Sequence, residues 1–496
     1  MIYLDNSATT RPSDSVIKAV SENMAGNFGN ASSLHKMGIE AEKVLKDAKK
    51  TILEKLSLDG EIIFTSGATE SSNTVLFGIP KTYRHNGSRI VTTTFEHPSV
   101  ENPLKELEKA GYEIVHVAPP KRTEPQDYEQ RIIDAVDENT LLVSVMWVNN
   151  ETGYITDLSK IYTAVKRKNP KTIVHCDAVQ GFCKQPSKLL RADLISLSAH
   201  KIHGPKGIGA LFCAKGTRFS PLLYGGGQQK NLRSGTEPVD LIAGFAEAVR
   251  SYPDCRDRYE ALNDRLLGRL AGLEDIGINS YNNAKNILNF SVRGVRSEIM
   301  LHFLEEREIY VSSGSACSKG KTSGVLAEFG VSDRDADCAV RVSFSPFTEE
   351  SDIDALAQGI DIRVRTGFRS YDYQTNLFNS YAQKNGEAEA NTYSARAGES
   401  EHQTGYACDL GGKSEGYALS YKFGETAEGK WVYEHCSEYG FILRFIDGKT
   451  VDGVRQPGEI TGYVYEPWHI RYVGVDAAKE IYERGICLEE YLGILD

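Results

Sequence analysis

Lys201 stands in SLSAHKIHGPKG (196–207), between His200 and His203, after an apolar run and before a Gly-Pro turn. A lysine so placed can form a Schiff base with an aldehyde cofactor, while Ser198 and His200 offer donors to a phosphate. A solvated surface loop is the plainer alternative. Asp177, in VHCDAVQG, ends a second apolar run. A carboxylate there meets a ligand at the carboxyl end of a doubly wound sheet, or caps a helix. In FTSGATESSN (64–73) a strand-like run meets a helical pattern at Ser66-Gly67-Ala68-Thr69. Orphan N–H groups and a hydroxyl at a helix start attract an anion, although small residues at such a turn are often only a turn.

A second group lies near the C-terminus. His402 and Asp409 are seven positions apart in EHQTGYACD, and Glu466 precedes His469 by three in EPWHI. Three N/O ligands with an open fourth position make a catalytic zinc site, and a nearby carboxylate outside the ligand set supplies a general base. Taken singly, the same residues could be caps or surface groups.

The elements that must position these groups are legible. EIIFTSG, RIVTTTF, LLVSVMWV, TIVHCDAV, LISLSAH and GALFCA read as strands, and amphipathic stretches such as PLKELEKAG lie between several of them. That alternation predicts βαβ units in a largely parallel sheet covered by helices on both faces. From Glu298 the order becomes helix, strand, loop, which suits a smaller α+β segment. Beyond Ile362 the chain is richer in Tyr and Gly, with short strands and a helix near 476–484. The expected division is a large domain over 1–250, a small domain over 251–359 to which residues 1–15 are a candidate contributor, and a further domain over 360–496.

Composition narrows the function. A chain of 496 residues holds two or three domains, and its net charge of −11 argues against a nucleic-acid groove. The nine cysteines include no C-x-x-C pair, which suits reduced thiols. MIYLDNSATT lacks the basic and apolar regions of an export signal, and no run of apolar residues is long enough to span a bilayer. A cytoplasmic protein is expected.

The first set of motifs, YLDNSATT, TSGATESSN, TFEHPSV, VNNETG, HCDAVQG, SAHKIHGPKG, RSGTEP and SSGSAC, resembles the cysteine desulfurases among the class V pyridoxal-phosphate enzymes, over about residues 1–358. The resemblance implies an aspartate-aminotransferase-like fold (fold type I), a homodimer, and L-cysteine as substrate. It implies that Lys201 holds pyridoxal 5'-phosphate, Asp177 pairs with its ring nitrogen and His97 stacks on its ring. Gln180 and Asn150 would lie near its phenolic oxygen, and Thr69, Ser198 and His200 at its phosphate, with Thr236 reaching the neighbouring subunit's phosphate. Arg341 would clamp the substrate carboxylate. Cys317, in a Gly/Ser-rich segment that reads as a solvated loop, would take up sulfur as a persulfide for an acceptor, an iron–sulfur scaffold or a tRNA-thiolation enzyme. SFSPFT after Arg341 departs from the family, whose members commonly carry a Gly there.

The second set, RTGFRSYDYQ, SARAGESEHQTGYACD, YGFILRF and YEPWHIRYVG, resembles zinc D-alanyl-D-alanine carboxypeptidases of the vancomycin-resistance type, from about Ile360 to Asp496. This implies an α+β domain, truncated at its N-terminus, with Zn²⁺ on His402, Asp409 and His469. Glu466 would activate water and Arg369 stabilise the oxyanion, with Gln374 and Ser394 around a peptidoglycan stem peptide. In EESDIDALAQGIDIRVRTGFRSYDYQ (349–374) the two families meet without a linker, at about 356–361, with a helix expected through Gln358 and strand alternation thereafter. The alternative to a bifunctional enzyme is a selenocysteine lyase or class V aminotransferase with a non-catalytic metal-binding appendage.

Overall fold

The β-branched runs form strands because each is long enough to cross a sheet and apolar on both sides. In the computed structural model, which describes all residues except 122–126, 274, 314–323, 362, 413–417, 452–453 and 495–496, the chain divides into two compact units. One comprises Met1–Gly272, Ile276–Ser291 and Ser297–Ile353; the other comprises Leu273–Asp275, Val292–Arg296 and Asp354–Asp496. Cys317 falls in 314–323, outside the described residues.

In the first unit, β1 (Ile2–Tyr3) is followed by the strands of a seven-stranded sheet. These are β2 (Gly60–Thr65), β3 (Arg89–Thr93), β4 (Glu113–Val117), β5 (Thr140–Met146), β6 (Ile173–Asp177), β7 (Leu194–Ser198) and β8 (Gly209–Ala214), in the order β2-β8-β7-β6-β5-β3-β4. β8 runs antiparallel to β2 and β7, and every other pairing is parallel. Alternate side chains serve opposite faces: Ile62, Phe64 and Phe212 join one apolar cluster, Ile63, Leu211 and Cys213 the other. A sheet buried on both faces needs the near-continuous apolar strands that the sequence carries. The N-terminal β1 pairs in parallel with Ile309–Tyr310, so residues at the start of the chain lie beside those after 300.

The helix Glu350–Asp361 runs three residues beyond Gln358, where the sequence suggested a strand. Its buried positions explain this. Ile353, Leu356, Ala357 and Ile360 are all under 9% exposed and follow the i, i+3, i+4, i+7 spacing of one helical face. Burial of Ile360 continues the helical stripe through Gly359.

The second unit holds a four-stranded antiparallel sheet in the order Arg363–Thr366, Ala407–Gly411, His469–Tyr472, Phe441–Leu443. Leu410, Leu443, Trp468 and Ile470 pack with Phe423 and Val432 into its core. The helix at Val475–Arg484 coincides with that expected near 476–484.

Candidate active sites

In the first unit the chemistry-bearing residues gather where the parallel strands end. Asp177 closes β6; Ser198 closes β7, with His200 and Lys201 immediately beyond; Asn150 and His97 follow β5 and β3 by four residues each. This is the edge at which an open α/β sheet receives ligands. The turn after β2 leads into the helix Ala68–Tyr83, whose Gly67 N-cap supplies no side-chain bond to its N–H groups. Gly209 lets that turn sit close, since a Cβ there would stand 2.6 Å from Gly67 Cα. Glu70 accepts the Ser66 N–H at 2.7 Å and pairs with Arg233 at 2.9 Å, tying the turn to the RSGTEP segment. Thr69 and Thr236 are exposed.

Lys201 donates to the carbonyls of Ser7 and Ala8 at 2.5 and 2.7 Å. Burial, and then the Arg341 guanidinium, lower its amine to about 8 against the pull of Asp5 and Asp177. Asp177 is buried, which raises its pKa, while the Val179 N–H, His97 and Lys201 favour its charged form. His97 caps the helix Pro98–Lys109 by accepting the Ser99 N–H at 3.1 Å. Its ring is accessible by surface area, yet the crowding protein atoms lower its basicity, with Asp177 opposing and Lys201 adding to the effect. Burial likewise holds His200 down to about 4, with Lys201, Lys206 and Lys184 adding to it. His200 Nδ1 lies 3.1 Å from Thr9 Oγ1. Gln180 donates to the Ser7 carbonyl at 2.9 Å, so Gln180 and Lys201 share one acceptor.

Arg341, on Ala339–Ser343, is 7% exposed. One arm donates to the Asn150 carbonyl at 3.0 Å and the other to Asp5 at 2.7 Å. Asp5 lies in the quoted YLDNSATT motif but received no role from the sequence. Glu96, beside His97, was missed altogether: burial pushes it up to about 8 although Thr93 and the Met146 N–H donate to it at 2.6 and 2.9 Å. Its only sequence signal was a carboxylate in a run of apolar and small residues. A buried acid, an amine made more nucleophilic by burial and an uncapped helix start form a donor set that fits pyridoxal phosphate.

In the second unit, cross-strand register does the positioning. Asp409 lies directly opposite His469, which puts their side chains on one face, while Leu410 and Ile470 turn to the core. His402 arrives from the short helix Glu401–Thr404 just before that strand. His402 Nε2 and His469 Nδ1 lie 3.3 and 3.0 Å from Asp409 Oδ1, and ligand atoms of the three buried residues are all within 4.8 Å of one another. Tetrahedral zinc with bonds of about 2.0–2.1 Å sets its ligands about 3.3 Å apart, so this donor set fits zinc. His402 Nδ1 is 2.9 Å from the Gly367 carbonyl; donation there leaves Nε2 free to face a metal.

Arg369 Nη2 pairs with Asp409 Oδ2 at 2.6 Å. Although burial pulls Asp409 up, hydrogen bonds from His402 and His469 hold it far below the usual carboxylate range. Glu466 is buried and its carbonyl accepts the His469 N–H at 3.1 Å; burial lowers His469, but Asp409, Glu401 and last the charge of Glu466 outweigh it and raise its basicity. Gln374 is fully buried and donates to the Ala395 carbonyl at 2.6 Å. Ser394 Oγ is buried without a hydrogen-bond partner among the described residues. Glu401, one residue before His402, was not recognised from sequence; its spacing to His469 is visible only across strands.

Comparison with known proteins identifies the family of each part of the chain. Residues 2–356 match the class-V aminotransferases and residues 348–475 the D-alanyl-D-alanine carboxypeptidases, so the two matches share 348–356. The NifS/IcsS protein homolog of Lactobacillus delbrueckii subsp. bulgaricus is 38% identical over 369 residues, covering 71% of this chain and 94% of the relative. Cysteine desulfurase IscS of Serratia proteamaculans is 38% identical over 373 residues, 72% of this chain and 91% of its own. A solved NifS-like protein superposes with a TM-score of 0.67 at 35% identity, covering 72% of this chain and 98% of that one. The chain belongs to the class-V aminotransferase family of pyridoxal-phosphate enzymes, among the cysteine desulfurases, and carries a D-alanyl-D-alanine carboxypeptidase domain in its C-terminal part.

Proposed function

We propose that the chain converts L-cysteine to L-alanine with transfer of the sulfur to Cys317, and that its C-terminal domain is a zinc carboxypeptidase acting on peptides ending in D-Ala. The observation that carries the first part is the meeting of Lys201, Asp177 and His97 at the sheet's carboxyl edge, where Asp177 favours the charged form of both bases and Lys201 opposes that of His97. Pyridoxal phosphate, when bound, supplies an electron sink that weakens bonds at the substrate's α-carbon. Lys201 would hold the cofactor through its amine and would carry protons at the substrate's α-carbon. Asp177 would keep a proton on the ring nitrogen, His97 would cover the ring, and Asn150 and Gln180 would serve its phenolic oxygen. Thr69, Ser198 and His200 would hold the phosphate, with Thr236 serving the phosphate of a second subunit. Arg341 receives the substrate carboxylate as a two-pronged fork. The Cys317 thiolate attacks the substrate sulfur. An S–S bond forms, the C–S bond breaks with its electron pair left on carbon, and a proton completes alanine, leaving a persulfide for an acceptor protein.

In the second unit His402, Asp409 and His469 would hold zinc, which when bound supplies a Lewis acid that acidifies water. Glu466 would act as the base, Arg369 would stabilise the oxyanion, and Gln374 and Ser394 would contact the peptide. The buried, convergent ligand triad supports this reading. A cytoplasmic location suits the desulfurase half.

Purified protein should show a visible cofactor absorption band and release sulfide from cysteine in the presence of a thiol. Lys201→Ala should abolish both, and retention of both would sink the assignment. Cys317→Ser separates desulfurase from aminotransferase, because it should lose persulfide transfer only if sulfur passes through that thiol. For the second unit, hydrolysis of a D-Ala-D-Ala peptide that survives Glu466→Ala would remove the peptidase role.

A further inference from the structure

We propose that Glu401 is the positioning residue for His469, and that it is held to this task by Arg444 and, through it, by Glu489 near the C-terminus. The proposal rests on the reading of His402, Asp409 and His469 as zinc ligands. His469 turns Nδ1 toward Asp409 and Nε2 toward Glu401, whose Oε2 lies 3.5 Å away. His469 Nε2 and Glu401 Oε2 are both buried without a hydrogen-bond partner among the described residues, and they face each other across that 3.5 Å. An imidazole that offers Nδ1 to a metal must carry its proton on Nε2, and an acceptor there fixes both the tautomer and the ring rotation.

The acceptor is itself immobilised. Glu401 Oε1 accepts from Arg444 Nε at 2.8 Å and from Arg471 Nη1 at 3.1 Å, leaving Oε2 for the histidine. The other two nitrogens of Arg444 form a bidentate pair with Glu489 at 3.0 and 2.5 Å. Arg444 is 9% exposed, so its guanidinium is fixed between two carboxylates with little competition from water. Two carboxylates and two guanidinium groups cancel in formal charge, which makes the network a device for orientation and not for electrostatic attraction of the metal.

Glu489 lies in the short helix Leu488–Leu492, beyond the carboxypeptidase match that ends at residue 475. Residues outside the recognisable family region therefore belong to the scaffold of the metal centre.

The test uses the full-length protein, stripped of metal, with zinc affinity measured by competition against a chromogenic chelator. Wild type should bind one zinc in the second unit. Glu401→Ala should bind about 10–100-fold more weakly. Glu401→Gln keeps an oxygen for the same N–H but turns its amide NH2 toward the donors of Arg444 and Arg471, so it should recover only part of that loss. Glu489→Gln, remote from the metal, should weaken binding several-fold. Cobalt(II) in place of zinc adds a spectroscopic reading, its d–d bands shifting in Glu401→Ala and returning in part in Glu401→Gln. A folded Glu401→Ala with wild-type affinity or unshifted cobalt bands overturns the proposal. Should the alanine variant fail to fold, unchanged affinity in Glu489→Gln overturns it instead. Wild type that takes up no zinc overturns the metal reading and this inference with it, whereas loss of the contrast between variants overturns this inference alone.

Discussion

Glu96 illustrates how a single buried acid can set a pH dependence. Its folded pKa of about 8 lies above that of an unfolded glutamic acid, so between the two values the folded chain keeps a proton the unfolded chain has released. Stability contributed by this group is present at low pH and is lost as pH rises through 8, at up to about 1.4 kcal/mol per unit. Glu96→Gln should flatten urea-unfolding free energy between about pH 5.5 and pH 7.5 relative to wild type. An unchanged slope would mean that Glu96 is ionised in the folded state. Arg341 carries a second prediction at this scale. Asp5 occupies one arm of the fork proposed for substrate, so Asp5→Asn should change KM for cysteine more than it changes cofactor absorbance. Equal loss of both would assign Asp5 a structural role. That Lys201 and Asp177 gather, and that His402, Asp409 and His469 do, was legible in sequence because each sits in a dense motif. Glu96, Asp5 and Glu401 were not, since their meaning arises from partners 50, 336 and 68 positions away.

Among the elements, the sheet strands were readable because burial on both faces demands uninterrupted apolar runs. Thr140–Met146 and Leu194–Ser198 are buried at every position. The helix Glu350–Asp361 was misread only at its end, where Gly359 looked like a stop and Ile360 like the start of alternation. Periodicity decides such cases better than one glycine does. Leu356, wholly buried, should therefore tolerate truncation poorly: Leu356→Ala should cost about 2–5 kcal/mol in urea unfolding. Exposed Gln358→Ala on the same helix should be nearly neutral. Similar small effects from both would deny the helix its packed face. Register in the second sheet could not be read at all, because nothing in either strand's sequence specifies that Asp409 opposes His469.

For the whole molecule, assembly and metal content are separable. Met24, Phe28 and Leu34 are 62%, 73% and 95% exposed in the first unit, and the proposed second subunit would give such apolar side chains a cover. Sedimentation should find a dimer, and Leu34→Asp should weaken it and lower cofactor retention, because Thr236 is proposed to serve the neighbouring site. A monomeric wild type would end the dimer proposal. Chelation should remove carboxypeptidase activity while leaving sulfide release intact, since the residues proposed for each reaction lie in different units. Loss of both on chelation would contradict that independence.

The helix Glu350–Asp361 takes up most of residues 348–356, which both family matches claim. A deletion that tidily removes one activity from the gene has no neutral place to begin: it trims turns from the other product as well. The two domains are thus made as one chain, in a fixed one-to-one ratio.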